Sequence, residues 1–297
     1  MSFDFRVTRL YNVLMINSHV LMSGMEYIRN TAAINPLYKI GKLNRKRAIY
    51  QHARLVRVYR AAGIKVTWVL PPPNCQDGGY PANWAVVHNG KAIMARLPKA
   101  RANEIPHARQ ILKDLGYQII EIPEDWRFSG QGDALRCGNL LFCNEGYRSD
   151  DRALAFVASE LGLKRVQLQT IPLLDKNGLP AINASSGWPD SCFYDIDLAM
   201  NVIDEKTIVW CPEAFTETSR ELMATVSVDK IEVDYDEAIK YFACNLVSTG
   251  QTVVMAKDAK KLQRELRKRG LKIFAPNISE LTRTGGSARC MSLTLEP

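Results

Sequence analysis

The chain has 297 residues, 46% of them hydrophobic and 24% charged, with 39 Lys and Arg against 31 Asp and Glu for a formal net charge of +8. That is an ordinary globular composition with enough apolar material for a sizeable core. No stretch approaches the ~20 apolar residues of a membrane helix, and the seven Cys lack CxxC spacing, which argues against a disulfide framework and against a zinc knuckle. The four His, at positions 19, 52, 88 and 107, pair with no Cys at ligand spacing, so no metal or other cofactor is expected. The segment Met1 to Tyr11 carries charges and no long apolar run. It is unlike a signal peptide, and the expected compartment is the cytoplasm.

Helix and strand patterns then alternate along the chain. Predicted helices run from Arg45 to Ala62, Ile105 to Leu115, Asp150 to Leu161, Thr216 to Ala224 and Ala259 to Arg269. Each is followed by a short apolar strand: Ile64 to Leu70, Tyr117 to Ile122, Arg165 to Ile171, Lys230 to Val233 and Leu271 to Ala275. Gly closely precedes four of these five strands, as it does where a helix ends in a left-handed residue. After each strand comes a turn-rich stretch and a β-rich segment: Asn83 to Ala95, Gly132 to Asn144, Phe193 to Cys211, Phe242 to Met255 and Gly285 to Leu295. Several of these close as hairpins, with Asn or Gly at the bend of VVHNGKAIMA, RCGNLLFC and VSTGQTVVMA. The unit repeats at roughly fifty residues, a period found in repeat and propeller architectures.

The expected fold is therefore α/β, a single domain over residues 1–297 built from five pseudo-symmetric ββαβ modules closed around an axis. The alternative is a doubly wound sheet, which also alternates strands and helices. Several strands per helix favour closure. No glycine-rich dinucleotide loop follows the first strand, and no phosphate-binding GxxxxGK[ST] occurs. The basic clusters, Lys42 to Arg47, Arg54 to Arg60 and Lys257 to Arg269, fall in amphipathic helical patterns. They read as solvated helix faces, so neither nucleic acid nor a membrane is the expected partner.

Four polar segments recur between a module's first strand and its hairpin: NCQDGGYPAN (Asn74 to Asn83), FSGQGDAL (Phe128 to Leu135), FYDIDLAMNV (Phe193 to Val202) and GGSARCMSL (Gly285 to Leu293). In a closed ring they would meet near the axis. The last resembles the C-terminal nucleophile segment of dimethylarginine dimethylaminohydrolases within the guanidine-modifying, amidinotransferase-like superfamily. FSGQGDAL is similar to that family's FEGxGD, FYDID to its FYHLD, and CQDGGYPAN to its substrate-binding pDxxFxxN. The opening VLMINSHVLM matches the family's first strand. The resemblance spans nearly the whole chain in order, and it implies a five-bladed α/β propeller.

It also implies chemistry. In that family a Cys thiolate attacks a guanidinium carbon, an amine leaves, and water or an acceptor amine resolves a thiouronium intermediate. Cys290 falls on the nucleophile position; Cys137, Cys143, Cys192, Cys211 and Cys244 lack such a setting and read as structural. Asp77, Asn83, Asp133 and Asp197 match positions that hold the guanidinium or support its loops, since a planar guanidinium suits carboxylates. Arg148, in GYRSDD, matches an Arg that holds a substrate carboxylate, and Arg101 is a weaker candidate for that role. Two positions depart from the pattern: Asp195 stands where the family has His, and Ser129 where it has Glu. An ordinary Asp, near 3.9, is a poor proton donor at neutral pH unless burial or a second carboxylate such as Asp197 raises it. Three readings follow: a guanidino hydrolase or amidinotransferase in which Asp195 takes over from His, a silent relative that binds a guanidino or other cationic ligand, and a basic surface that binds nucleic acid or protein. His19 is the one His that could turn inward.

Overall fold

The computed structural model describes residues 15–39 and 41–296; the reading of Met1 to Tyr11 lies outside them. The first unit comprises β1 (His19–Ser23), α1 (Arg45–Ala61) and β2 (Lys65–Val69). The second is β3 (Ala85–His88), β4 (Lys91–Met94), α2 (Glu104–Asp114) and β5 (Gln118–Ile120). The third is β6 (Ala134–Cys137), β7 (Leu140–Asn144), α3 (Asp151–Leu161) and β8 (Lys164–Leu168). The fourth is β9 (Met200–Val202), β10 (Thr207–Trp210), α4 (Glu217–Thr225) and β11 (Asp229–Glu232). After α5 (Tyr235–Tyr241) comes the last, β12 (Val247–Ser248), β13 (Thr252–Val254), α6 (Lys260–Lys268) and β14 (Lys272–Phe274), and the chain ends in β15 (Leu293–Glu296).

The described residues form five three-stranded sheets of one topology. In each, a middle strand pairs antiparallel with the strand before it and parallel with the strand after its helix, as β4 does with β3 and β5. The first unit has no strand of its own before β1, and β15 fills that position antiparallel to β1. Both ends of the described chain thus share one sheet.

Local chemistry accounts for the elements. On α1 the buried residues are Ala48, Gln51, His52, Leu55, Val56 and Tyr59, one stripe at helical spacing. Asn44 caps it by accepting from the Arg47 amide at 3.0 Å. Arg45, Lys46, Arg47, Arg54, Arg57 and Arg60 occupy its exposed face, and Lys260, Lys261, Arg264, Arg267, Lys268 and Arg269 that of α6. The basic clusters are thus solvated helix faces. At the β3–β4 bend Asn89 and Gly90 both adopt positive φ, 48° and 75°, which a two-residue hairpin turn requires. Helices connect the middle strand to the outer, half-exposed one, while β3, β6, β9 and β12 are buried.

Three features differ from the sequence expectation. α5 was not foreseen: its seven residues span too few turns to show a period, although Asp234 caps it. Four of the five outer strands are shorter than predicted; β5 covers Gln118–Ile120 against the expected Tyr117 to Ile122, while β11 keeps the predicted length. Between β8 and β9 the chain makes a hairpin-like excursion bridged at Leu174–Pro180 and Ile182–Pro189. Among the described residues no helix is long and apolar enough to cross a membrane.

Candidate active site

Short 3-10 turns precede three of the inner strands: Pro81–Asn83, Gly130–Gly132 and Ile196–Leu198. The first packs on the second and the second on the third. The polar segments carried by these turns, with the Gly285 to Leu293 segment, gather around a small cavity. Its volume is about 20 Å³, and Asp77, Asn83, Arg101, Arg148, Tyr194 and Cys290 are on its wall.

Cys290 is buried at the head of β15. Its thiol is 3.4 Å from Asp197 Oδ2, to which it donates, and it accepts from Asn245 Nδ2 at 3.1 Å. Asn245 Oδ1 accepts in turn from the amides of Ser287 (3.0 Å) and Cys290 (3.2 Å), so one amide side chain fixes the whole turn. Gly286 fits tightly: a Cβ there would lie 3.0 Å from Cys290 Cβ and 3.2 Å from its sulfur, so the Cys290 turn would have to shift to admit one. Burial first, then Asp197 and Asp195, push the thiol well above the usual range. Burial and then Asp195 likewise raise the Asp197 carboxyl to about 8.

Asp195 makes no hydrogen bond to the thiol. Its carboxylate accepts from Ser129 Oγ at 2.7 Å and from Asn83 Nδ2 at 2.9 Å, and forms an ion pair with Arg148 at 3.3 Å. All four residues are buried. The Arg148 guanidinium also lies over the Tyr194 ring, 3.9 Å from its centre, and donates to the Ile34 carbonyl. Asp133 stands one layer behind, accepting from Ser149 Oγ (2.7 Å) and the Ile196 amide (3.1 Å). Burial, then Asp195, keep its carboxyl well above the usual range. Asp77 accepts from the Tyr38 hydroxyl and from Gln76 Nε2.

Arg101 borders the cavity but spends its donors elsewhere. Nε and one terminal nitrogen grip Glu104 at 2.9 and 2.7 Å, and the other terminal nitrogen donates to Asn83 Oδ1 at 2.8 Å. The arrangement orients Asn83, which then presents its amide nitrogen to Asp195. Among the described residues, none that lines the cavity is a His or a Glu. His19 faces Thr67 and Glu296 rather than the cavity, and His107 packs on Trp84.

Sequence reasoning missed Asn245, Tyr38 and Glu104. Asn245 had a signal: it lies just before β12, where the other units carry their polar segments. Glu104 lies three residues after Arg101 at the start of α2, the spacing at which such a pair meets.

The fold has counterparts among solved structures. The N-terminal domain of ArgZ, a cyanobacterial arginine dihydrolase solved with a covalently bound reaction intermediate, superposes with a TM-score of 0.83 at 24% identity, over 93% of this chain and 97% of that one. The family described as N,N dimethylarginine dimethylhydrolase, eukaryotic, matches residues 25–296. The N(G),N(G)-dimethylarginine dimethylaminohydrolase of Mycobacterium tuberculosis is 30% identical over 269 residues, which cover 89% of this chain and 82% of that enzyme. The chain belongs to the dimethylarginine dimethylaminohydrolase family. The bifunctional arginine dihydrolase/ornithine cyclodeaminase AgrE of Nostoc sp. is 28% identical over 267 residues, and this chain spans 35% of its length.

Proposed function

We propose that the chain is a guanidino-group hydrolase in which Cys290 is the nucleophile, and that its five sheets are the blades of an α/β propeller with the site on the axis. The observation that carries the reading is the Cys290 thiol at 3.4 Å from Asp197, beside a wall that also holds Asp77 and Asn83. A buried thiol flanked by carboxylates is un-ionised when the pocket is empty. A guanidinium entering beside it supplies the positive charge that favours both thiolate and carboxylate.

The reaction then balances as follows. The Cys290 sulfur bonds to the guanidinium carbon, and one C–N bond breaks. The thiol proton leaves with the departing amine, and Asp197, in contact with the sulfur, is the group that relays it. Water next adds to the thiouronium carbon and the C–S bond breaks; one water proton restores the thiol, the other passes through Asp197 to solvent, and a neutral ureido product departs. In this reading Asp195, where the family has His, holds the site rather than moving the proton. It orients Arg148, which is the candidate partner for a substrate carboxylate. A second reading, a binder of guanidino ligands without turnover, draws support from the cavity of about 20 Å³ and from the lack of an imidazole on its described wall.

The test is a turnover screen with arginine, dimethylarginine and simple alkylguanidines, measuring released ammonia or amine and ureido product. The expected result is turnover that Cys290→Ser abolishes while a guanidino ligand still raises the melting temperature. A melting-temperature shift without product would favour the binder. Neither shift nor product, in folded protein, would overturn both.

A further inference from the structure

Arg289 and Cys290 are neighbours in sequence but face different cavities. Cys290 is on the wall of the candidate active site, whereas Arg289 borders a second cavity of about 60 Å³. The far ends of β3, β6 and β9 contribute Val87, His88, Cys137 and Val202 to that second wall.

The second wall holds an unbalanced cation. Arg289 is 5% exposed and meets no carboxylate among the described residues; it donates to Thr294 Oγ1 at 2.7 Å and to Gln131 Oε1 at 2.9 Å. Its Nε has no hydrogen-bond partner there. Asn201, 4% exposed, is in the same condition: its oxygen accepts from the Val202 amide at 2.9 Å, and its Nδ2 donates to nothing described. The buried Nε of Arg136 is the third such atom. Every unpartnered buried side-chain polar atom described on this wall is thus a donor. Buried donors without acceptors are costly and rare, so they point to a missing partner.

The other charges on the wall do not supply it. Glu205 is paired with Arg136 at 3.3 Å, and the two cancel. Burial, then Arg136, holds the His88 imidazole below its usual range. Burial pushes the Cys137 thiol up to about 12, and the thiol donates to the Asp204 carbonyl. Asp197, whose charge Arg289 feels, takes its hydrogen bond from Cys290 instead. One positive charge remains, in a cavity with room for a small guest.

We propose that this cavity binds a small monovalent inorganic anion of the halide class, gripped by Arg289 Nε and Asn201 Nδ2 with Arg136 at the mouth. The unpartnered buried side-chain atoms described on this wall are all donors, which suits a halide, an acceptor only, better than a water, which must also donate; a halide also offsets the guanidinium charge. The inference is independent of the hydrolase reading.

Two measurements test it. Crystals grown in bromide should show an anomalous peak within hydrogen-bond reach of Arg289 Nε and Asn201 Nδ2. The melting temperature should rise with the logarithm of chloride concentration when chloride replaces gluconate at constant ionic strength. Asn201→Asp, which installs a fixed carboxylate, should abolish that dependence and melt higher than the wild type in gluconate. Water-only density, or a chloride effect equal in wild type and Asn201→Asp, would overturn the proposal. The bromide experiment on the wild-type chain decides even where the variant fails to fold.

Discussion

Asp195 and Ser129 make a sharp test of the buried charge network. Asp195 is the only carboxylate described as ion-paired with Arg148, at 3.3 Å, and both are almost fully buried. Asp195→His leaves the guanidinium without its anion, and breaking a buried pair from one side costs about 3–5 kcal/mol. Ser129→Glu alone drives a second carboxylate against Asp195, since Ser129 Oγ is 2.7 Å from Asp195 Oδ1. It should destabilise through like-charge burial together with about 1–3 kcal/mol of overpacking. Together the two changes return one carboxylate and one imidazole to the same space, so Ser129→Glu should be stabilising in the Asp195→His background. Urea unfolding of the four proteins gives the coupling, expected at about 2–3 kcal/mol. The double variant should also hydrolyse guanidino compounds faster than Asp195→His, in a manner that depends on Cys290, because the carboxylate orients the imidazole. Additivity within about 0.5 kcal/mol would refute the claim that Asp195 serves chiefly as the anion of Arg148.

Two further outcomes follow from the same structure. Burial holds the His52 imidazole at about 4, against ~6.5 in the unfolded chain. Its contribution is therefore present above pH ~6.5 and is lost as pH falls toward about 4, a change of ~3 kcal/mol that His52→Leu should remove from the acid limb of the stability profile; an unaltered limb would contradict it. Asn245→Leu strands the amides of Cys290 and Ser287 at ~1–3 kcal/mol each and removes a hydrogen bond from the sulfur. It should slow alkylation of Cys290 as well as destabilise the chain, and an unchanged alkylation rate would argue against the role of Asn245.

Much of the fold was legible because each unit repeats the same periods. Amphipathic helical patterns followed by short apolar strands, four of the five with Gly at the junction, located all five major helices within a residue or so of their observed bounds. The seven-residue α5 and the Leu174–Pro180 excursion were not legible, because a segment of two turns or an exposed hairpin carries little periodic signal. Of the residues singled out in the sequence, Cys290, Asp77, Asn83, Arg101 and Arg148 share one wall, whereas Asp133, Asp195, Asp197 and Ser129 are not on it. The Arg101–Glu104 pair is local, three residues apart, but that Asp197 rather than Asp195 touches the sulfur depends on side-chain directions set by packed turns from distant parts of the chain.

The central claim is that Cys290 carries the guanidino group. Intact-protein mass spectrometry of acid-quenched reactions, followed by peptide mapping, tests it most directly. The account predicts a species heavier by the guanidino substrate less its leaving amine, on the peptide containing Cys290 and absent from Cys290→Ser. Product formed at an undiminished rate by Cys290→Ser, or an adduct on another residue, would contradict it.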